Sequence, residues 1–332
     1  MAALKFGLVL PHFGQHASVE RCLEGAIKAE TYDFDSVWVR DHLVFTPYDM
    51  EGTDNTHIEG LLVLSAVASV TQKLVIGTAM TICHRNPIHL AQSFAGLSRI
   101  ANGRVVMGMG LGGFPHEFAA VGLPTTASER AYLMRVNIEL CRRFWAGEKV
   151  SHQDRYYNFR DVELRPVPTR PIPIWCGGST PAACRRVVEF ADGWLPARIT
   201  LATFVKRMAY LREISLQVQR PLTTAGVMPL TSFAKDKETA LRYINVKGLI
   251  SEANKNSTWV EPASGVFSTV DDIRGLILAG TSNDILQGAR AYQAAGADLI
   301  VFDLRFRALD WDQQIDWLGN EVLPALRVGP SN

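Results

Sequence analysis

The chain has 332 residues, 47% hydrophobic and 20% charged, which supplies a sizeable core and more length than a minimal domain needs. Lysines and arginines number 34 against 33 aspartates and glutamates, a formal charge of +1, so neither the balance nor any basic run suits nucleic-acid binding by counterion release. No apolar run approaches the roughly 18 residues of a membrane span, the opening LKFGLVLP reads as a strand rather than a signal peptide, and Cys22, Cys83, Cys141, Cys176 and Cys184 lack CxxC spacing, so reduced thiols, no metal site and a cytoplasmic protein are expected.

Short β-rich runs alternate with amphipathic stretches. The first strand is predicted over 6–11, followed by a helix over 19–31 capped by Ser18. The second strand is DSVWVR (35–40); a polar loop over 41–57 leads to the apolar helix IEGLLVLSAVASV. The third strand covers 74–81, and the helix PIHLAQSFAGLSRIA carries Pro87 in its first turn, where a missing N–H is harmless. The fourth strand covers 104–110, a long helix 128–145, and VSHQDRYYNF reads as a small hairpin. The fifth strand covers 172–176, with TPAACRRVVEFA as its helix; GWLPA is a short sixth and TTAGVMPLTSF a seventh. The helix DKETALRYINVKGLI, an irregular stretch over 253–268, the helix DILQGARAYQAAGA, the strand DLIVFDL and the helix WDQQIDWLGNEVLPAL complete the chain. Eight strand–helix alternations predict a (β/α)8 TIM barrel forming one domain, with insertions near 146–165 and 253–268. A doubly wound sheet is disfavoured because LPHFGQH, not GxGxxG, follows the first strand.

Barrel enzymes place their chemistry at the C-terminal strand ends. The residues there are His12 and Phe13; Asp41 and His42; Thr81, Cys83, His84 and Arg85; Gly110 to Gly113, then His116 and Glu117; and Gly177, Gly178, Ser179 and Thr180. An imidazole beside a carboxylate, as in Asp41–His42, can act as acid or base near neutral pH. Cys83 and Cys176 read as buried small hydrophobes. Two glycine-rich stretches follow strands, VVMGMGLGG and CGGSTPAACRRV. Each serves either a tight turn or an anion laid against bare backbone, and in the second the Ser-Thr-Pro helix start adds N–H groups and a dipole. Together they suggest a flat, phosphate-bearing cofactor across the strand ends. His12, Phe13, Phe45 and His84 are the candidate substrate-pocket residues.

The stretches FGLVLPHFG, DSVWVRDHL, LVIGTAMTICHRNPIHLAQSFAGLSRIANGRVVMGMGLGG, VELRPVPTRPIPIWCGGSTPAACRRVVEFADGW and GARAYQAAGADLIVFDL, in this order, make the chain similar to the luciferase-like flavin and F420-dependent oxidoreductases, the bacterial luciferase-like monooxygenase superfamily. The resemblance covers about residues 4–327. It implies a barrel with an insertion that binds coenzyme F420 or, alternatively, FMN. Asp41 and His42 resemble the pair that F420-using members place near the deazaflavin, with His42 as the base that takes a substrate hydroxyl proton. Ala79 and Met80 fall where members carry an unusual peptide bond behind the ring. Gly110, Gly112, Gly113 and His116, with Gly177, Gly178 and Ser179, fall where the phosphate-bearing tail is held. The chain has Gly113 where sugar-phosphate dehydrogenases of the family have a glutamate, and Leu111 where bacterial luciferase has an arginine; Arg85 is the nearby rim cation. The resemblance therefore implies F420-dependent hydride transfer with a small organic substrate, and sugar-phosphate oxidation is not expected. The alternatives are a two-component monooxygenase using reduced FMN and O2, its ring shielded by Phe13, Leu43, Phe45 and Phe114, and a cofactor-binding barrel without turnover. Expected partners are the small substrate, with a separate flavin or F420 reductase as a further option, and a second copy in a homo-oligomer; no nucleic acid and no membrane are expected.

Overall fold

The computed structural model describes residues 3–48, 50–124, 126–221 and 224–328. Eight parallel strands, β1 (Lys5–Val9), β2 (Ser36–Val39), β3 (Val75–Thr78), β4 (Val105–Gly110), β5 (Ile174–Cys176), β6 (Gly193–Trp194), β7 (Thr224–Val227) and β8 (Leu299–Phe302), pair in chain order. The ring closes where Phe6 of β1 faces Ile300 of β8, so the fold is a (β/α)8 barrel.

The strands form because short apolar runs send alternate side chains to opposite faces. Phe6 and Leu8, Val37 and Val39, Met107 and Met109, and Ile300 and Phe302 pack under the helices. Val9, Trp38, Val106, Trp175, Leu195, Met228, Leu299 and Val301 fill the barrel interior instead. Trp38 and Trp175, with ring centroids 5.5 Å apart, are too large for that interior unless their neighbours are small. A Cβ at Gly77 would overlap the Trp38 ring, and one at Gly193 would lie 2.6 Å from the Trp175 indole nitrogen.

Side-chain caps start many of the helices, as expected at Ser18. Ser18 accepts from Arg21 N, Asn86 caps the helix that opens with Pro87, and Thr281 forms a capping box with Asp284. Residues Val150–Gln153 and Asn158–Val162 pair as an antiparallel hairpin outside the barrel. Several elements differ from expectation, among them a short helix, Pro115–Ala120, absent from the sequence reading. The seventh strand breaks at Pro229, and its second half, Leu230–Phe233, pairs with Ile277–Gly280, a strand the sequence reading did not contain. The helix expected after it is two, Lys237–Leu241 and Val246–Lys255, because Asn245 caps the second. Between β6 and β7 lies a helix, Leu201–Gln217, started by Thr200, which the sequence reading passed over. Among the described residues no helix is long and apolar enough to cross a membrane. All five cysteines are buried and unpaired.

Candidate active site

The residues leaving β2 set the geometry of the barrel mouth. Asp41 and His42 do not pair with each other: consecutive residues leaving a strand point to opposite sides. Asp41, buried, accepts Arg85 Nε at 2.9 Å, Arg85 Nη2 at 2.5 Å and the Ile82 backbone N–H at 2.8 Å. Burial opposes ionisation of Asp41, but Arg85 outweighs it and keeps the carboxyl below its ordinary range. Arg85 also holds Glu59 at 2.6 Å, so this rim cation already has two carboxylate partners. Asp41 therefore fixes the loop that follows β3.

His42 turns the other way, toward Glu117. Glu117 is fully buried, in the first turn of a short helix, Pro115–Ala120. Its Oε1 accepts from His42 Nδ1 at 3.3 Å and from the Leu43 and Val44 backbone N–H groups at 2.8 and 3.2 Å. Burial opposes the charge on Glu117, and the His42 hydrogen bond with the backbone donors overcomes it, so its pKa is lowered. On the far side, Arg40 Nη2 donates toward His42 Nε2 at 3.3 Å. These contacts define an imidazole protonated on Nδ1 whose Nε2 lone pair meets the Arg40 guanidinium through a long contact. Phe45, Phe114 and His57 stand 5.1 to 5.5 Å from the His42 ring, leaving its side chain 10% exposed. The sequence reading placed Glu117 at the rim but gave it no role; the one local signal was an acidic residue just beyond the glycine run.

The other expected pocket residues divide. Phe13 and Phe45 meet edge to face at 6.2 Å, and the Arg40 guanidinium lies 4.3 Å over Phe13. His12 is a correction: it is fully buried, Nδ1 donates to the Ile58 carbonyl at 2.8 Å, and Nε2 accepts the Arg40 backbone N–H at 2.9 Å. Burial lowers its pKa to about 3, so it is a neutral strut with no nitrogen free for substrate. His84 is buried with its ring edge-on to Phe118 at 5.6 Å, and His116 is exposed, its Nε2 3.0 Å from the Val44 carbonyl. His116 ties its loop to the one after His42, whereas His84 Nε2 is buried without a hydrogen-bond partner.

The loop after His42 crosses the mouth and is anchored by Glu51. That carboxylate takes Arg40 Nη1 at 2.9 Å and Arg305, and Arg305 is also gripped by Asp303, with Nε 2.9 Å from each oxygen. Met50 packs among Leu230, Ile244 and Leu249. Burial would raise the Glu51 pKa, but Arg305, Arg40 and Arg198 together bring it from 4.5 to about 2. A depressed folded pKa gives stability that is present above the unfolded value and lost as pH falls through the folded one. Urea unfolding of wild type and Glu51→Gln is therefore expected to show a gap of about 3 kcal/mol at neutral pH, closing between pH 4.5 and about 2. Equal stabilities at pH 7 would contradict it.

The glycines are corrected in part. Gly108, Gly110 and Gly177 make room for the Ala79–Met80 segment, whose peptide bond is cis, as the resemblance implies. A Cβ at Gly110 would lie 3.0 Å from Met80 Cβ, and one at Gly177 2.8 Å from Met80 Cγ. Gly112, at φ +76°, would press on Ile82 and Phe118. Among these loop glycines, only Gly113 and Gly178 are exposed. At Gly113 the nearest described atom to an added Cβ is Tyr48 Oη, 3.7 Å away. Gly178 is at φ +93°, which favours glycine whatever lies near. Ser179 Oγ accepts Trp259 Nε1 at 3.1 Å, and Thr180 caps the helix Pro181–Phe190.

Gly113 and Ser179 edge a cleft of about 870 Å³, whose walls include Tyr48, Phe114, Arg198 and Trp259. That volume suits a planar cofactor with a small partner. The sequence reading missed Arg198, because it follows a two-residue strand. A glycine-edged wall, exposed backbone at Gly178 and a capped helix start fit an anionic, flat group.

A family model described as luciferase-like monooxygenase matches residues 4–299. The F420-dependent glucose-6-phosphate dehydrogenase of Amycolatopsis mediterranei is 28% identical over 335 residues, 95% of this chain and 98% of its own. The enzyme of the same description from Nakamurella multipartita is 34% identical over 338 residues, 95% and 96% of the two chains. Among solved structures, an F420-dependent secondary alcohol dehydrogenase in complex with an F420-acetone adduct has the same fold, with a TM-score of 0.82 at 20% identity over 98% of this chain and 99% of its own. The chain belongs to the luciferase-like monooxygenase family.

Proposed function

We propose that this protein is a coenzyme F420-dependent oxidoreductase that oxidises or reduces a small organic substrate at the barrel mouth, with His42 as the base. The observation that carries it is the Glu117–His42 pair: a buried carboxylate orients the imidazole through Nδ1, and its Nε2 has only the long contact to Arg40. The full-length relatives described as F420-dependent support the choice of cofactor.

The deazaflavin, when bound, supplies a ring carbon that accepts or returns hydride. Gly113, Gly178 and the helix start at Thr180 would hold its anionic tail, and the Ala79–Met80 segment would back its ring. A substrate hydroxyl that replaces the 3.3 Å Arg40 contact would give its proton to His42 Nε2, or take it back, while Arg40 stays on Glu51. Glu117 stays ionised and stabilises the imidazolium that results. Phe13, Phe45 and Phe114 keep water from the reacting atoms.

The test is a fluorescence titration of wild type and Gly113→Ala with F420, and an absorbance titration with FMN. Wild type is expected to bind F420. Gly113→Ala is expected to unfold like wild type, because its methyl makes only an ordinary contact with Tyr48 Oη, yet to bind F420 about tenfold less tightly. Submicromolar FMN affinity with no F420 binding would replace this reading with the monooxygenase one.

A further inference from the structure

We infer that the chain carries a second binding site, at the end of the barrel opposite His42, and that its ligand is a planar aromatic carboxylate. Barrel enzymes work at the C-terminal strand ends, and the barrel interior is ordinarily filled by packed side chains. Here a cavity of about 790 Å³ opens among the strand starts, bordered by Lys5 of β1, Ser36 of β2, Val75 of β3, Thr224 of β7 and Leu299 of β8. Missing side chains help to leave that space. Gly7 and Gly193 have nothing to lay over the Trp38 and Trp175 indoles, whose nitrogens would stand 2.8 and 2.6 Å from an added Cβ. Both indoles belong to the barrel interior, and both also line the cavity. A flat aromatic body suits such a wall, through offset or edge-on ring contacts.

The polar groups around the cavity select the charge of the ligand. Four carboxylates border it, and each already has a partner. Glu30 accepts the backbone N–H groups of Gln72, Lys73 and Leu74, and Asp35 accepts that of Phe6 at 2.8 Å. Asp192 accepts the Ile174 N–H at 2.9 Å and Arg142 at 3.1 Å, and Asp33 lies 3.8 Å from Arg327. The groups left over are all donors. Lys5 and Lys73 are exposed, and their ammonium groups meet no acceptor among the described residues. Trp175 is only 9% exposed, yet its Nε1–H also lacks an acceptor among them, whereas Trp38 donates to Ser36 Oγ at 2.8 Å. An indole N–H so deeply placed is costly to leave unmet. A ligand carboxylate answers the indole and the two ammonium groups together, by charge-assisted hydrogen bonds, which are the strong ones.

Calorimetric titration of the full chain with 2-naphthoate tests this. Saturable binding of one molecule per chain is expected, and 2-naphthamide, which keeps the rings and loses the charge, should bind at least about tenfold more weakly. The double variant Lys5→Ala, Lys73→Ala changes only exposed side chains; it should unfold like wild type and lose about tenfold in 2-naphthoate affinity. Trp175→Phe keeps a ring and removes the N–H, and should lose about fivefold. If Trp175→Phe fails to fold by circular dichroism, the lysine variant decides. Gly113→Ala, at the other end of the barrel, should bind 2-naphthoate as wild type does. The inference is overturned if no saturable binding is found up to millimolar 2-naphthoate, if acid and amide bind alike, or if the double lysine variant keeps wild-type affinity. A loss in Gly113→Ala as large as in the lysine variant overturns it too, since the ligand would then sit in the glycine-edged cleft.

Discussion

Gly108→Ala is expected to leave little folded protein. The Cβ of any residue at 108 would land on the Thr78 carbonyl oxygen and within 2.6 Å of Met80 Sδ. A side chain could rotate away, but the Thr78 carbonyl is main chain and sits where β3 and β4 close the barrel. The same two strands are tied by Thr78 itself. Its Oγ1 accepts the Gly108 N–H at 3.0 Å, donates to the Gly108 carbonyl at 3.1 Å and accepts from Thr81 Oγ1 at 2.9 Å. A methyl group can be admitted only by separating the strands and breaking all of these. The expected cost, above about 4 kcal/mol, is a large part of the roughly 5–15 kcal/mol that stabilises a domain. The matched control is Gly96→Ala, in the helix Pro87–Ile100, where an added Cβ meets nothing within 4 Å. That change should be neutral or stabilise by up to about 1 kcal/mol, since alanine outranks glycine in a helix interior. Urea unfolding of the two variants decides the matter, and wild-type stability of Gly108→Ala would mean that β3 and β4 do not approach as described.

That contrast also shows what the sequence could reveal about the site. Barrel strands were legible because each alternates apolar residues between two faces, and helix starts where Ser18 caps one and Pro87 opens another; the Thr281 cap went unread, and that helix starts at Ser282 rather than Asp284. The glycine run VVMGMGLGG was legible as a place without side chains, but not the reason. Gly108 and Gly110 are the inward positions of β4, and the space they leave is filled by Met80, from the segment that follows β3. The run suggested backbone bared for a cofactor; only its last member, Gly113, has an open Cβ direction. The Asp41–His42 pair misled for a similar reason. Neighbours in sequence suggested partners in space, whereas His42 finds its carboxylate 75 residues on, and Asp41 finds its cation 44 residues on. Likewise Ile277–Gly280 is an unremarkable apolar tetrapeptide until Leu230–Phe233 lies beside it. Local patterns specified the elements; pairings between distant elements made the site.

Removing the base is expected to separate catalysis from binding. His42→Ala should lower kcat by about 10²- to 10⁴-fold, the range for a positioned general base, while F420 affinity stays within about threefold of wild type. The imidazole contacts Glu117 and Arg40 and lies against aromatic rings, so its loss frees space without disturbing the glycine-edged cleft. Exogenous imidazole entering that space should restore part of the rate, which a merely structural histidine would not allow. Glu117 acts through His42, so its variant should fall between. In Glu117→Gln the side-chain oxygen can still accept the Leu43 and Val44 N–H groups, and the loop stays in place. What disappears is the negative charge that stabilises the imidazolium after proton transfer. The difference between a charged and a neutral hydrogen-bond partner predicts a loss of about tenfold to a hundredfold in kcat, with KM little changed. The two losses should not multiply in the double variant, because Glu117 has no base left to assist. If Glu117→Gln lowers the rate in the His42→Ala background as much as in wild type, the carboxylate is acting on something other than His42, and the pair is not the catalytic unit.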